Sequence, residues 1–491
     1  MHTATFTTDP ERLLAALQGV LPAALILSRP EELAPYECDG LSAYRQTPLL
    51  VVLPETTGQV QAVLRICHQQ GVPVVARGAG TGLSGGALPH AQGVLLSLAK
   101  LKNILDINQE RRTATVQPGV RNLAISQATS HLNLYYAPDP SSQIACTIGG
   151  NIAENSGGVH CLKYGLTVHN VLQIKLVTIE GELLTIGTQG LDAPGYDLLA
   201  LMTGSEGMLG VVVEVTVKLL PKPERVQVML AAFDDVIKAG AAVGNIISAG
   251  IIPAGLEMMD GPAIQAAEDF AHAGYPTDAA AILLCELDGT HAEVSEHLLV
   301  VHGILINSGA TEVRTAKDEA ERATFWKGRK SAFPAVGRIS PDYYCMDGTI
   351  PRKHLPQVLQ AIRDFSTEFG LNVANVFHAG DGNLHPLILF DANQAGELER
   401  AEAFGGKILE LCVAVGGTIT GEHGVGMEKI NQMCSQFNSL ELTQFHAVKA
   451  AFDPAGLLNP GKAVPTLHRC AEFGAMHVHQ GALPHPELER F

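Results

Sequence analysis

The sequence predicts an α+β chain of two folded domains, and three observations carry that prediction. A βαβ unit lies near the start, from Leu49 to Arg77. After Pro221-Lys-Pro223 the rhythm changes to strand-like runs alternating with helical patterns, the signature of a separate α+β unit. Three glycine-rich segments each stand next to a strand of the first domain.

Taken in order, Leu49–Pro54 reads as a short buried strand, and Thr56-x-x-Gln59 is a capping box that opens a helix. Val60, Val63, Leu64 and Cys67 then recur at i, i+3, i+4 and i+7, one apolar stripe on that helix. Gly71 ends it and Val72–Arg77 is the next strand, so the sheet begins parallel. Further strands are expected at Val94–Leu98, Thr113–Gln117, Val171–Ile179 and Val211–Leu219. Beyond the proline pair, strands at Val226–Phe233, Ala254–Met259 and Ala280–Leu287 alternate with helices at Asp234–Ala249, Pro262–Ala271 and Glu293–Asn307. Met427–Phe452 reads as helix and Asp453–Gly461 as an ordered turn segment. Length alone suggests roughly three domains, but the motifs favour two. The expected division is 1–224, 225–424, a segment 425–464 packing back on the first domain, and a tail 465–491 of little periodicity, read as a flexible extension in preference to a metal site on its histidines.

Composition narrows the function. With 33 basic and 50 acidic residues the chain carries a formal charge of −17, the wrong sign for a non-specific nucleic-acid binder or an anionic-membrane binder. The first ten residues lack the basic and apolar stretches of a signal peptide, and apolar runs fall short of the ~18 residues of a spanning helix. The nine cysteines are scattered without any C-x-x-C, which supports neither a disulfide framework nor a cysteine-ligated iron–sulfur cluster. A cytoplasmic location is expected.

Arg77-Gly-Ala-Gly-Thr-Gly-Leu-Ser-Gly-Gly-Ala87 follows a strand directly. Its glycines expose backbone N–H groups and let an anion approach closely, so phosphate is the natural guest. Gly80, Gly82 and Gly85 satisfy G-x-G-x-x-G, but a dinucleotide fingerprint must open a helix, and this loop leads to another strand. A second segment runs from Pro138 through Thr147 to Gly158, and a third, Thr203-Gly-Ser-Glu-Gly-Met-Leu-Gly210, precedes the last strand of the domain.

The three segments in this order resemble the FAD-binding domain of the vanillyl-alcohol oxidase / para-cresol methylhydroxylase (PCMH) flavoprotein superfamily. The stretches Trp326–Phe333 and Tyr343–Pro351 resemble, more narrowly, the D subunits of bacterial glycolate oxidases. The resemblance covers about residues 20 to 464. It implies a two-subdomain PCMH-type FAD domain, a ferredoxin-like α+β substrate or cap domain, and a helical C-terminal segment returning to the FAD domain. It implies that Arg77, Gly78, Ala79, Gly80, Thr81, Gly82, Leu83, Ser84 and Gly85 cradle the pyrophosphate. Pro138, Thr147, Gly150, Asn151, Ser156 and Gly157, with Val212 and Asn459, would line the rest of the cofactor. No histidine lies between Arg77 and Ala87, where some relatives tether the flavin, so non-covalent FAD is expected.

His378-Ala-Gly-Asp-Gly-Asn-Leu-His385 carries a second chemistry. Asp381-Gly382 predicts a two-residue hairpin turn, which sets His378 opposite His385 with Cβ atoms about 4.5–5.5 Å apart. Such a pair can share one metal at ~2.0–2.1 Å per nitrogen, or stand as a cross-strand pair without one. Glu422, in Thr418-Ile-Thr-Gly-Glu-His-Gly-Val-Gly426, is a third ligand candidate, since neighbours on a glycine-rich loop can point in different directions. The resemblance implies a divalent metal on His378, His385 and Glu422, zinc first with manganese or iron as alternatives. It implies His423 as general base and Arg329 as the grip on a substrate carboxylate, which suits a planar guanidinium fork. The implied activity is FAD-dependent oxidation of a small D-2-hydroxy acid, glycolate before D-lactate. The implied partners are a second flavin-domain subunit and an iron–sulfur subunit, with peripheral attachment to the inner membrane through them. Phe333 and Cys345 stand where relatives acting on D-2-hydroxyglutarate carry polar residues, which favours a monocarboxylate. The rival readings are a D-2-hydroxyglutarate-type dehydrogenase, a non-redox alkyl-exchange flavoenzyme, and a non-catalytic electron-carrying subunit.

Overall fold

A computed structural model describes residues 6–190 and 194–466 of the chain. The tail expectation for 465–491 lies outside the described residues apart from Pro465 and Thr466. By internal contacts the chain divides into two units. The first comprises Met1–Ser156, Leu166–Pro221 and the chain from Glu422 onward; the second comprises Gly157–Gly165 and Lys222–Gly421.

The first unit holds two main sheets. In one, the strands run in the order Ile26–Leu27, Leu50–Val52, Val94–Ser97, Val74–Arg77, and the last three are parallel. The parallel pairing follows from the crossover helix Thr57–Gln70, whose capping box forms as the sequence dictates: Thr56 accepts from Gln59 N–H and Gln59 reaches back. Val60, Val63, Leu64 and Cys67 are wholly buried, so the apolar stripe is the face that packs on the sheet. The other sheet is antiparallel, ordered Ile104–Asn108, Thr113–Val116, Val211–Lys218, Val171–Val177, Leu183–Gly187. The C-terminal segment closes the first sheet: Val74 N–H donates to Leu457 O at 2.8 Å and Asn459 N–H to Val74 O at 2.8 Å.

The Met427–Phe452 helix expected from the sequence is shorter than its apolar pattern. Met427 and Glu428 donate their N–H groups to the Ser84 carbonyl at 2.9 and 3.0 Å, which fixes that stretch as a turn. Helix forms at Met433–Gln436, and again at Ser439–Phe452 where Asn438 and Glu441 make a capping box.

The second unit is built on one seven-stranded antiparallel sheet. Its order is Glu312–Thr315, Arg225–Phe233, Ala281–Gly289, Gly255–Asp260, Val373–Phe377, Pro386–Phe390, Asp342–Cys345. Numbered along the chain, the first four strands run 4-1-3-2, the ferredoxin-like order, with an added helix Gly261–Ala271 between the second and third. The six residues of Gly255–Asp260 are all buried, which makes Glu257 in their midst a charge inside the core.

Candidate functional site

The candidate cofactor segments of the first unit lie in contact with one another. The loop after Val74–Arg77 folds over its own arginine: Arg77 Nη1 donates to Cys38 O at 2.6 Å, and Gly80, at φ +69°, has no room for a Cβ, which would stand 2.1 Å from Arg77 Nη2. A Cβ on Gly78 would meet Thr147 Oγ1 at 2.3 Å, so the first and second glycine segments are in direct contact. Asn122 Nδ2 joins Pro138 O and Asn151 Oδ1, both at 3.0 Å, and Ser156 N–H closes on Asn151 O at 2.9 Å. Asn459 is occupied structurally, donating to Gly86 O and Glu206 O at 2.9 and 2.7 Å, and Val212 lies on the central antiparallel strand. Gly157 falls in the second unit.

Two buried hydroxyls in this loop cluster, Ser84 Oγ and Thr147 Oγ1, have no hydrogen-bond partner. A buried polar atom without a partner costs about 1–3 kcal/mol, and these two fit the polar spine of a dinucleotide cofactor.

The third glycine segment does something the sequence did not disclose. Glu206 accepts N–H bonds from Val425 at 2.7 Å and Gly426 at 2.8 Å, fastening the segment that follows His423. Lys429 Nζ donates to Gly424 O at 3.0 Å beside it. Glu154 shares this buried place, and burial together with the neighbouring Glu206 pushes its carboxyl well above the ordinary range. Burial pushes the Glu206 carboxyl up as well, and the Val425 and Gly426 N–H groups it accepts oppose that rise.

The second unit carries the side-chain chemistry. His378 and His385 are 3% and 2% exposed, with ring centroids 5.0 Å apart. Their register differs from the expected hairpin. His378 pairs with Asn383, not His385, and Asn375 pairs with Pro386, so the two histidines sit diagonally on one face. The reason is that neighbouring strands capture the turn. Gly380 N–H goes to Leu256 O and Ile350 N–H to Gly382 O, while the Asp381 carboxylate accepts Asn383 N–H, so the chain makes a four-residue connection instead of a two-residue one.

Two carboxylates flank the imidazoles, one of them hydrogen-bonded, and neither was singled out from the sequence. Glu257 takes His378 Nδ1 at 2.8 and 3.0 Å. Asp347 Oδ1 lies 3.5 Å from His385 Nε2, and Asp347 Oδ2 accepts from Thr420 Oγ1 at 2.6 Å and from Gly421 N–H at 3.1 Å. Burial pushes the Glu257 carboxyl up, but His378 and Arg329 outweigh it and hold it below the usual range. The only sequence-level signal for Glu257 was a lone acid in an apolar strand run.

Arg329, near the end of the helix Glu319–Lys330, is 1% exposed. Its Nη2 is 2.6 Å from Glu257 Oε2, but off the hydrogen-bonding direction, so the contact is ionic and both Nε and Nη2 keep unmet donor capacity. Phe333 stands edge-on to His385 and to Tyr343, with centroids 6.1 Å away in each case. Glu422 and His423 group with the first unit and follow Gly421 directly in the chain.

A diagonal imidazole pair with carboxylate braces is a donor set suited to a borderline divalent ion, because second-shell carboxylates orient ligating histidines. The glycine cradle and this buried cluster of Arg329, Glu257, Asp347 and two histidines fit an FAD-linked oxidoreductase, and the comparisons show that class. The family described as "FAD binding domain" matches residues 48–187, and "FAD linked oxidases, C-terminal domain" matches residues 222–463. The chain belongs to the glycolate oxidase subunit GlcD family of FAD-linked oxidases. It is 70% identical to the Escherichia coli (strain K12) protein of that name over 98% of this chain and 97% of the relative. It is 41% identical to the Bacillus subtilis glycolate oxidase subunit over 87% of this chain and 91% of the relative. A D-lactate dehydrogenase of Anaerostipes hadrus is 31% identical over 86% and 91%. In fold it is similar to p-cresol methylhydroxylase, with a TM-score of 0.77, 17% identity and coverage of 94% and 98%. No helix among the described residues is long and apolar enough to cross a membrane.

Proposed function

We propose that the chain oxidises a small D-2-hydroxy acid, glycolate first and D-lactate next. The observation that carries this reading is Arg329: a fully buried guanidinium with unmet donors, joined through Glu257 to the His378–His385 pair. An anion gripped there has its neighbouring carbon close to the imidazoles, which is the layout a 2-hydroxy acid needs. The family names of the relatives, glycolate oxidase subunit and D-lactate dehydrogenase, support the same substrate class.

The segments around Gly78, Ser84, Thr147 and Asn151 would hold FAD non-covalently, and His378, His385 and Glu422 would hold a divalent ion, zinc first. When bound, FAD supplies the hydride acceptor and the ion a Lewis acid that lowers the pKa of a hydroxyl. Arg329 binds the carboxylate and orients C2. Neutral His423 accepts the hydroxyl proton on an imidazole nitrogen, a role that needs a base titrating near neutral pH. Phe333, packed against Tyr343 and His385, offers no polar partner for a second carboxylate, which favours a monocarboxylic acid. Electrons would leave to a second flavin-domain subunit and an iron–sulfur subunit, whose association would set any peripheral membrane contact.

Anaerobic flavin reduction tests the reading. Glycolate and D-lactate are expected to bleach the flavin, L-lactate and D-2-hydroxyglutarate to do so poorly, and EDTA to slow the reaction until zinc is restored. No bleaching by any 2-hydroxy acid refutes the activity. Acid precipitation is expected to release all yellow colour to the supernatant; colour kept in the pellet refutes non-covalent binding.

A further inference from the structure

Glu257 touches both halves of the proposed substrate site, the His378 imidazole and the Arg329 guanidinium. It lies on the strand Gly255–Asp260, 1% exposed, and pairs through that strand with neighbours on both sides. Its Oε1 and Oε2 are 2.8 and 3.0 Å from His378 Nδ1, and Oε2 is 2.6 Å from Arg329 Nη2. Three ionisable groups from three elements, a central strand, the strand-end turn at His378 and the helix Glu319–Lys330, thus converge in a place closed to water. A buried charge of this kind persists only when paired, and removing its partners is costly.

We propose that Glu257 is a positioning residue that serves both the metal and the substrate: it fixes the His378 ring so that Nε2 is the ligating nitrogen, and it fixes the plane of the Arg329 guanidinium. The proposal rests on the reading of Arg329 and His378 given under Proposed function. The two contacts are chemically separable. His378 Nδ1–H needs only an acceptor oxygen, which an amide also provides. Arg329 needs a negative charge, because its contact with Glu257 lacks hydrogen-bond direction. Replacing the acid with an amide therefore cuts one contact and leaves the other, whereas alanine cuts both.

The test uses the full-length flavoprotein and Glu257→Gln, Glu257→Ala and Glu257→Asp. Zinc affinity is read by competition with a chelating indicator, and glyoxylate affinity by its perturbation of the oxidised flavin spectrum. In Glu257→Gln, zinc affinity is expected to stay within about threefold of wild type while glyoxylate binds roughly tenfold more weakly. In Glu257→Ala zinc affinity is expected to fall by about 10- to 100-fold, the range for loss of a partner behind a ligating histidine, with the same loss for glyoxylate. Glu257→Asp keeps the charge on a shorter stem and is expected to weaken both; it decides the matter if the alanine variant does not hold FAD. Equal losses in Gln and Ala overturn the two-contact assignment. Glyoxylate binding that tightens in Glu257→Gln shows a charge that merely damps Arg329 and overturns the positioning role. Variants with unaltered affinities beside a zinc-binding wild type overturn the Glu257 assignment alone. A wild type that binds no zinc overturns the metal reading itself, and the brace on His378 with it.

Discussion

The two units build their sites from different material. In the first, the candidate cofactor site is main chain: Gly78 abuts Thr147, Gly80 wraps Arg77, and Ser84 lends its carbonyl to Met427 and Glu428. In the second, the candidate reaction site is ionisable side chains held in a dry interior: Glu257, Arg329, His378, His385 and Asp347 are all 3% exposed or less. A main-chain site tolerates changes of charge but not of volume, and a side-chain site the reverse. The contrast also orders the consequences of mutation.

The largest effect should come from volume in the first unit. Gly78→Ala places a methyl 2.3 Å from Thr147 Oγ1, where something must shift. The variant is expected to purify without flavin, whereas Gly58→Ala, in a helix where a Cβ would come no closer than 4.0 Å to Thr56 Oγ1, should keep full flavin content. Equal flavin in both, measured by absorbance, would break the contrast. Next comes His423→Ala, expected to slow anaerobic flavin reduction by glycolate by roughly 10²–10⁴-fold, the usual worth of a general base. A wild-type reduction rate removes His423 from that role. Arg329→Lys keeps the charge and loses the planar fork. With charge-assisted hydrogen bonds worth about 1.5–3 kcal/mol, KM for glycolate should rise roughly ten- to hundredfold with kcat less affected.

The smallest effect concerns stability. Asp260 caps the helix Gly261–Ala271 and accepts from Asn375 Nδ2 at 2.7 Å, and burial raises its carboxyl to about 6. A raised carboxyl favours the folded state while protonated, and that advantage is lost as pH climbs from the unfolded value near 4 through about 6. At about 1.4 kcal/mol per pH unit of displacement, the loss is on the order of 3 kcal/mol. The stability of wild type relative to Asp260→Asn should therefore decline between pH 4 and 7, followed by thermal melting. A difference independent of pH would show that Asp260 titrates normally.

Local signals were legible in the sequence, and long-range ones were not. Thr56 and Gln59 announced a helix start because both partners of a capping box lie within one turn. The glycine segments announced a cofactor because main-chain approach demands glycine wherever it occurs. Asp381-Gly382 misled on register because Leu256 and Ile350, both more than thirty residues earlier in the chain, decide where the turn closes. Met427–Phe452 kept its apolar pattern yet begins as a turn, because the Ser84 carbonyl takes two of its N–H groups. Glu257 was invisible since its importance lies in Arg329 and His378, both distant in sequence and neither adjacent by periodicity.

The bond between Val74 and the 457–459 segment has a consequence for how the protein is made. The second unit is complete once residue 421 has been synthesised, since its other piece, Gly157–Gly165, is already in hand. The parallel sheet of the first unit still lacks Leu457 and Asn459, and the anchors that Glu206 and Ser84 offer to residues 425–428 have nothing to hold. Chains emerge from the N-terminus and domains fold as units, yet the cofactor unit, which opens the sequence, is the one finished last. A ribosome-bound chain stopped short of residue 457 would hold every residue of the second unit and would lack the two main-chain bonds to Val74 that border the parallel sheet.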